Sequence, residues 1–132
     1  MKQVNPSRGV AILGSTGSIG TQALDVIREQ RELLHVEVLT ANRNATLLIQ
    51  QALEFRPNAV VIVDSAKLGE VKDALFSHGI KAYGGAKALE QVVEMEGVSI
   101  VLTALVGAAG LRPTLNAIRA KKNIALALSL IH

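Results

Sequence analysis

Residues Val10 to Gly20, Val-Ala-Ile-Leu-Gly-Ser-Thr-Gly-Ser-Ile-Gly, constrain this chain more than any other stretch. A short apolar run, Val10–Leu13, ends in Gly14, Gly17 and Gly20 at G-x-x-G-x-x-G spacing, and a helical pattern follows. A turn without side chains lets backbone approach a phosphate, and the free N–H groups of a helix N-terminus point at its negative charge. Strand, glycines and helix in that order, close to the N-terminus, carry more weight than the glycine pattern alone. Thr16, Gly17, Ser18 and Ile19 are the expected backbone donors to a dinucleotide pyrophosphate, with the Thr16 and Ser18 hydroxyls as further donors. The alternative is a tight strand-to-helix turn that binds nothing. The glycines together with Thr and Ser exceed what such a turn requires.

The rest of the chain agrees with a sheet covered on both faces. Its 132 residues are 49% apolar but only 2% aromatic, so the core rests on Val, Ile, Leu and Ala, as in a buried parallel sheet. Apolar runs alternate with helical patterns from end to end. Strands are expected at Val10–Leu13, Val36–Thr40, Ala59–Val63, Ile80–Tyr83, Val98–Ala104 and Asn123–Leu128. The first helix places Ile19, Ala23, Val26 and Ile27 on one face. A second runs from Ala45 to about Phe55 with Asn44 as its N-cap, and a third follows Asp64 and Ser65 and ends at Gly79. A fourth spans about Ala86 to Glu96, and a fifth Arg112 to Lys121. Strands joined by helices require crossover connections, so the expected fold is α/β: a doubly wound parallel sheet, Rossmann-like, forming one NAD(P)-binding domain.

Composition also excludes some functions. There is no cysteine, hence no disulfide, no thiolate metal site and no cysteine nucleophile. The net charge of +3 is scattered, with no basic stripe interleaved with aromatics, which argues against nucleic acid as a partner. No apolar run is long enough to span a bilayer. The N-terminus lacks the apolar core of a secretion signal, so a cytoplasmic location is expected. His35, His78, Asp64, Glu94 and Glu96 read as solvated or capping residues, and no spacing of His, Asp and Glu suggests a metal site.

Cofactor choice is decided at the end of the second strand. NAD sites of this type place Asp or Glu about twenty residues past the glycines, to accept from the ribose 2′-hydroxyl. Here the residues are Ala41-Asn42-Arg43-Asn44, without a carboxylate. An arginine suits a 2′-phosphate, which it can grip bidentately, so Asn42, Arg43 and Asn44 point to NADP rather than NAD. The alternative makes Arg43 a solvated loop charge and Asn44 only a cap. Gly107-Ala-Ala-Gly110, after the fifth strand, either admits a nicotinamide ring against backbone or is a packing turn.

Taken together, Gly14–Gly20, Ala41-Asn-Arg-Asn-Ala45, Leu53-Glu-Phe-Arg-Pro57 and the run Val106-Gly-Ala-Ala-Gly-Leu-Arg-Pro-Thr-Leu-Asn-Ala-Ile-Arg-Ala120 resemble the N-terminal domain of the 1-deoxy-D-xylulose 5-phosphate reductoisomerase family. The likeness covers residues 9 to about 127. It implies an NADPH-dependent enzyme of non-mevalonate isoprenoid biosynthesis. Such an enzyme rearranges 1-deoxy-D-xylulose 5-phosphate and reduces it to 2-C-methyl-D-erythritol 4-phosphate, with magnesium or manganese in the full-length family. It also implies a homodimer for full-length members, and it places Ala104 and Gly107 near the nicotinamide half of the cofactor.

From Leu128 to His132 the likeness stops, where the family continues with an Asn-Lys-Glu stretch. The expectation is a truncated, frame-shifted or cut chain that keeps the cofactor cradle but lacks metal ligands, a substrate-phosphate site and turnover. The apolar end Ala125–Ile131 is expected to favour self-association. Two other readings stay open: the nucleotide domain of another NADP-dependent dehydrogenase, and a freestanding nucleotide-sensing module.

Overall fold

The strand that runs into the glycines lies inside the sheet, flanked on both sides. A computed structural model of the chain describes residues 7–104, 113, 116, 120 and 122–126. Within them lie β1 (Arg8–Leu13), α1 (Ser18–Glu29), β2 (Leu34–Ala41), α2 (Ala45–Phe55), β3 (Ala59–Ile62), α3 (Leu68–Leu75), β4 (Lys81–Gly84), α4 (Ala86–Val92), β5 (Ile100–Thr103) and β6 (Asn123–Leu126). The six strands form one parallel sheet in the order β4-β3-β2-β1-β5-β6. The expected doubly wound α/β architecture is therefore present. The loop expected at Gly107–Gly110, most of the helix expected at Arg112–Lys121 and the chain from Ala127 onward lie outside the described residues. Pro113 and Asn116 have helical backbone.

Strand alternation divides the core in two. Val10, Ile12, Leu39, Val60 and Ile62 face α1, α2 and α3, where they meet Leu24, Ile27, Leu48, Ala52, Val71 and Leu75. Ala11, Leu13, Val38, Val61 and Val101 face α4 and the turn after it, meeting Ala88, Leu89, Val92, Val93 and Val98. Three helices on one face and α4 on the other follow from the change of direction after β4, when the chain crosses back over β1 to lay down β5. That reversal makes the carboxyl ends of β1 and β5 a switch point, where ligands bind in open sheets of this kind.

Several local expectations shift. The buried face of α1 is Gly20, Leu24 and Ile27, while Val26 stays 54% exposed. The helix is turned to seat Gly20 against the preceding turn, which rotates Val26 outward. His35 lies within β2 rather than before it. Asp64 caps a single 3-10 turn, Ser65–Lys67, through Oδ1 accepting from the Ala66 N–H at 3.1 Å, and α3 follows that turn. α4 ends at Val92, short of Glu96.

β2 also carries a bulge. Val10 pairs with Val36 but Ala11 pairs with Val38, which leaves Glu37 as the extra residue. The bulge explains how Val36 and Val38 face opposite sides although they are two apart. The Glu37 side chain is buried at the amino end of the sheet, beside Gly9 and Gly97. Its Oε1 accepts from Asn58 Nδ2 at 2.6 Å, and its Oε2 meets His35 Nε2 at 2.8 Å. No helix among the described residues is long and apolar enough to cross a membrane.

Candidate nucleotide site at the sheet switch point

β1 stops at Leu13 because Gly14 turns the chain with φ 87°, in the region that glycine adopts without strain. Gly14 to Thr16 form the turn and Gly17 is the N-cap of α1, with no side-chain cap bond. The N–H of Thr21 donates to the Gly17 carbonyl, while the N–H groups of Ser18, Ile19 and Gly20 find no acceptor among the described residues. A helix start that nothing caps is an electropositive cluster of unsatisfied donors. Gly17 and Ser18 are exposed, and Thr16 and Ile19 are half-buried. The four residues expected to hold a pyrophosphate therefore share one turn, open to solvent.

The glycines divide their work. A Cβ on Gly20 would overlap the Gly14 carbonyl oxygen and lie 2.6 Å from the Ser15 Cα, so Gly20 permits α1 to press against the turn. A Cβ on Gly17 would meet only the Gly14 carbonyl oxygen, at 3.8 Å, so its outward side is free for a ligand to approach. This is the cradle a diphosphate requires: tight behind, open in front.

Asn42, Arg43 and Asn44 follow the next strand over. Leu13 and Thr40 are register partners, so the two loops leave the same edge of the sheet from adjacent strands. All three side chains are exposed. Asn44 caps α2, its Oδ1 accepting from the Leu47 N–H at 3.1 Å. Arg43 has no ion-pair partner among the described residues. The Asn42 carbonyl accepts from the Asp64 N–H at 2.9 Å, which ties the loop to the end of β3. The loop thus presents an unpaired guanidinium from a fixed backbone, as a phosphate monoester would need.

Across the switch point, the Ala104 N–H donates to the Leu13 carbonyl at 2.9 Å. Thr103, register partner of Leu13, has a buried hydroxyl with no partner among the described residues. Gly107 lies outside the described residues. His35, His78, Glu94 and Glu96 are exposed and away from this crevice, and no group of three or more His, Asp or Glu is placed to hold a metal among the described residues.

Sequence reading missed two residues behind the turn. Thr40 Oγ1 accepts from the Gly14 N–H at 2.9 Å, and its carbonyl accepts from the Ser15 N–H at 2.8 Å. Gln51, buried on α2, bonds Ser15 twice. A signal for Gln51 was available: it lies on the stripe Leu48, Gln51, Ala52, Phe55, where a polar residue needs a partner.

Comparison with known proteins agrees with this geometry. Residues 10–128 match the family described as 1-deoxy-D-xylulose 5-phosphate reductoisomerase. The chain is 58% identical over 118 residues to the 1-deoxy-D-xylulose 5-phosphate reductoisomerase of Bacteroides fragilis, covering 89% of this chain and 30% of that relative. It superposes with a TM-score of 0.86 and 39% identity on the reductoisomerase from Zymomonas mobilis in complex with NADPH, over 92% of this chain and 32% of that one. A second solved reductoisomerase, in complex with NADPH, fosmidomycin and magnesium, gives a TM-score of 0.85 at 32% identity, over 91% of this chain and 30% of that one. The chain thus spans about a third of the length of the relatives it matches. The match reaches from the strand before the glycines to the last strand of the sheet, and on that ground the chain belongs to the 1-deoxy-D-xylulose 5-phosphate reductoisomerase family.

Proposed function

We propose that this chain is the NADPH-binding portion of a 1-deoxy-D-xylulose 5-phosphate reductoisomerase. The observation that carries the reading is the pairing of an uncapped, open glycine turn with the unpaired Arg43 at the same sheet edge. The amides of Thr16, Ser18 and Ile19 hold the pyrophosphate, together with that of Gly17, whose N–H otherwise makes a long 3.4 Å bond to the Gly14 carbonyl. Asn42, Arg43 and Asn44 hold the adenosine 2′-phosphate, with Arg43 supplying charge and Asn44 its amide while still capping α2. The buried hydroxyl of Thr103 and the backbone at Ala104 border the place for the nicotinamide half. NADPH bound there would supply a hydride, with the backbone of the turn and of Ala104 orienting it.

The full-length enzyme would convert 1-deoxy-D-xylulose 5-phosphate to 2-C-methyl-D-erythritol 4-phosphate in the cytoplasm, as a homodimer using magnesium or manganese. The 132 residues taken alone are expected to bind cofactor without turnover; detection of product from them overturns that expectation. The cofactor assignment is tested by titrating the chain with NADPH and NADH. Charge-assisted bonds of about 1.5–3 kcal/mol to a 2′-phosphate correspond to NADPH binding roughly 10–100-fold more tightly. Arg43→Asp should remove most of that preference. Equal affinity of the unaltered chain for both cofactors refutes the role given to Arg43.

A further inference from the structure

Gln51 has its side chain almost wholly buried on α2, 36 positions along the chain from the turn it touches. The Ser15 hydroxyl donates to Gln51 Oε1 at 2.7 Å, and Gln51 Nε2 donates to the Ser15 carbonyl at 3.0 Å. The Ser15 hydroxyl also lies 3.2 Å from the Thr40 carbonyl, but it has one proton, and the shorter contact takes it. The amide orientation is fixed by the same logic. Turned over, Oε1 would face the Ser15 carbonyl and Nε2 the hydroxyl, setting acceptor against acceptor. Ser15 itself is fully buried, so water cannot replace either bond.

We propose that Gln51 is a positioning residue for cofactor binding, which holds the Gly14–Gly17 turn in the shape that presents the α1 amides to a pyrophosphate. The inference rests on the cofactor reading above. Gln51 touches none of the expected donors, and it acts through Ser15, whose carbonyl and hydroxyl it clamps while Thr40 holds the N–H groups of Gly14 and Ser15 from the other side. The clamp also joins the two halves of the site. Asn44 caps the helix that carries Gln51, so α2 sets the 2′-phosphate loop at its N-cap and the pyrophosphate turn two turns later.

The test is Gln51→Met, which keeps length and apolar stem but removes both bonds. Three ligands are titrated into the whole chain: NADPH, NADH and 2′-AMP, the last carrying the 2′-phosphate without a pyrophosphate. Affinity for NADPH and NADH should fall by the same factor, about tenfold, leaving their ratio unchanged, while 2′-AMP binding stays as in the unaltered chain. Ser15→Ala removes one of the two bonds and should give a smaller loss. Native-state amide exchange reads the clamp without any ligand: Gln51→Met should accelerate exchange at Gly14 and Ser15 at least tenfold, with β3 amides unchanged. Undiminished NADPH binding, or unchanged exchange at Ser15, overturns the proposal. A loss of 2′-AMP binding together with faster exchange throughout the sheet also overturns it, because Gln51 would then support the domain as a whole. Failure of the unaltered chain to bind NADPH defeats the cofactor reading instead, and the exchange measurement still decides whether Gln51 sets the turn.

Discussion

The two ends of the sheet are built from similar parts and finished differently. At the amino end, Glu37 lies between Gly9 and Gly97 and bonds Asn58 and His35, and His35 Nδ1 meets Ser7 Oγ at 2.8 Å. At the carboxyl end, Ser15 lies beneath Gly14 and Gly20 and bonds Gln51 and Thr40. Both ends bury polar side chains against glycines. The amino end is closed, because its carboxylate oxygens and the amide that faces them are paired with each other. The carboxyl end leaves donors unsatisfied: three amides at the start of α1 have no acceptor among the described residues, Arg43 has no ion pair there, and the buried Thr103 hydroxyl has no partner there. Burial of polar groups does not mark the site. The unsatisfied donors that gather beside the open glycine turn do, because they stand free to bond a ligand there.

Paired glycine substitutions give the largest test of this contrast. A Cβ on Gly9 would overlap the Gly97 carbonyl oxygen and lie 2.5 Å from Glu37 Cγ, with strands on both sides to prevent relief. Gly9→Ala should cost about 3 kcal/mol of stability, measured by denaturant midpoint, and leave the NADPH affinity of the folded fraction unchanged. Gly20→Ala would drive its Cβ into turn backbone alone, the Gly14 carbonyl and the Cα of the fully buried Ser15, while alanine recovers up to about 1 kcal/mol of helix propensity. Its stability loss should be comparable, about 2–3 kcal/mol, but here NADPH affinity also falls more than tenfold because the displaced turn is the cradle. Equal affinity losses at both ends would remove the distinction.

Thr103→Val tests the unpartnered hydroxyl with opposite signs. Removing a buried group that has no partner should raise the stability of the ligand-free chain by about 1 kcal/mol. If the cofactor completes that hydroxyl, NADPH affinity should fall, roughly fivefold by the usual worth of one neutral hydrogen bond. A variant that is less stable and binds NADPH unchanged would move Thr103 into the closed class with Glu37.

The locally encoded features were legible in the sequence and those set by long-range contacts were not, for a physical reason. The glycine turn and Asn42-Arg43-Asn44 are local patterns, each set within a few residues of chain. The parallel sheet was legible through its continuous apolar runs, buried on both faces. Glu37, Gln51 and Thr103 take their meaning from residues 21 to 90 positions away, such as Asn58, Ser15 and Leu13. The phase of α1 was misread because Val26 and Leu24 are equally apolar. Only the approach of Gly20 to the turn, a tertiary contact, selects Leu24 for the core. The early end of α4 at Val92 had no local signal, since Gly97 stood in the place of a natural cap.

An exposed polar set supplies the scale for both ends. Arg28 reaches from α1 to Glu54 on α2 with Nε and Nη2 at 2.6 and 2.9 Å, and Nη1 meets Asp25 at 2.6 Å. The guanidinium groups of Arg28 and Arg31 lie about 5 Å from the centre of the Phe55 ring. The Arg28 hydrogen bonds hold the Glu54 carboxyl below its ordinary value of 4.5. A lowered carboxyl stabilises the folded chain above that ordinary value and ceases to do so as pH falls through the lowered one. Both side chains are more than two-fifths exposed, so solvent and salt screen the pair. Glu54→Gln should therefore cost less than about 1 kcal/mol at pH 7 by denaturant midpoint, and the difference from the unaltered chain should vanish at acid pH and shrink in high salt. A loss as large as that of Gly9→Ala, or one that persists below the carboxylate range, would show that this bridge is structural in the way the buried Glu37 cluster is.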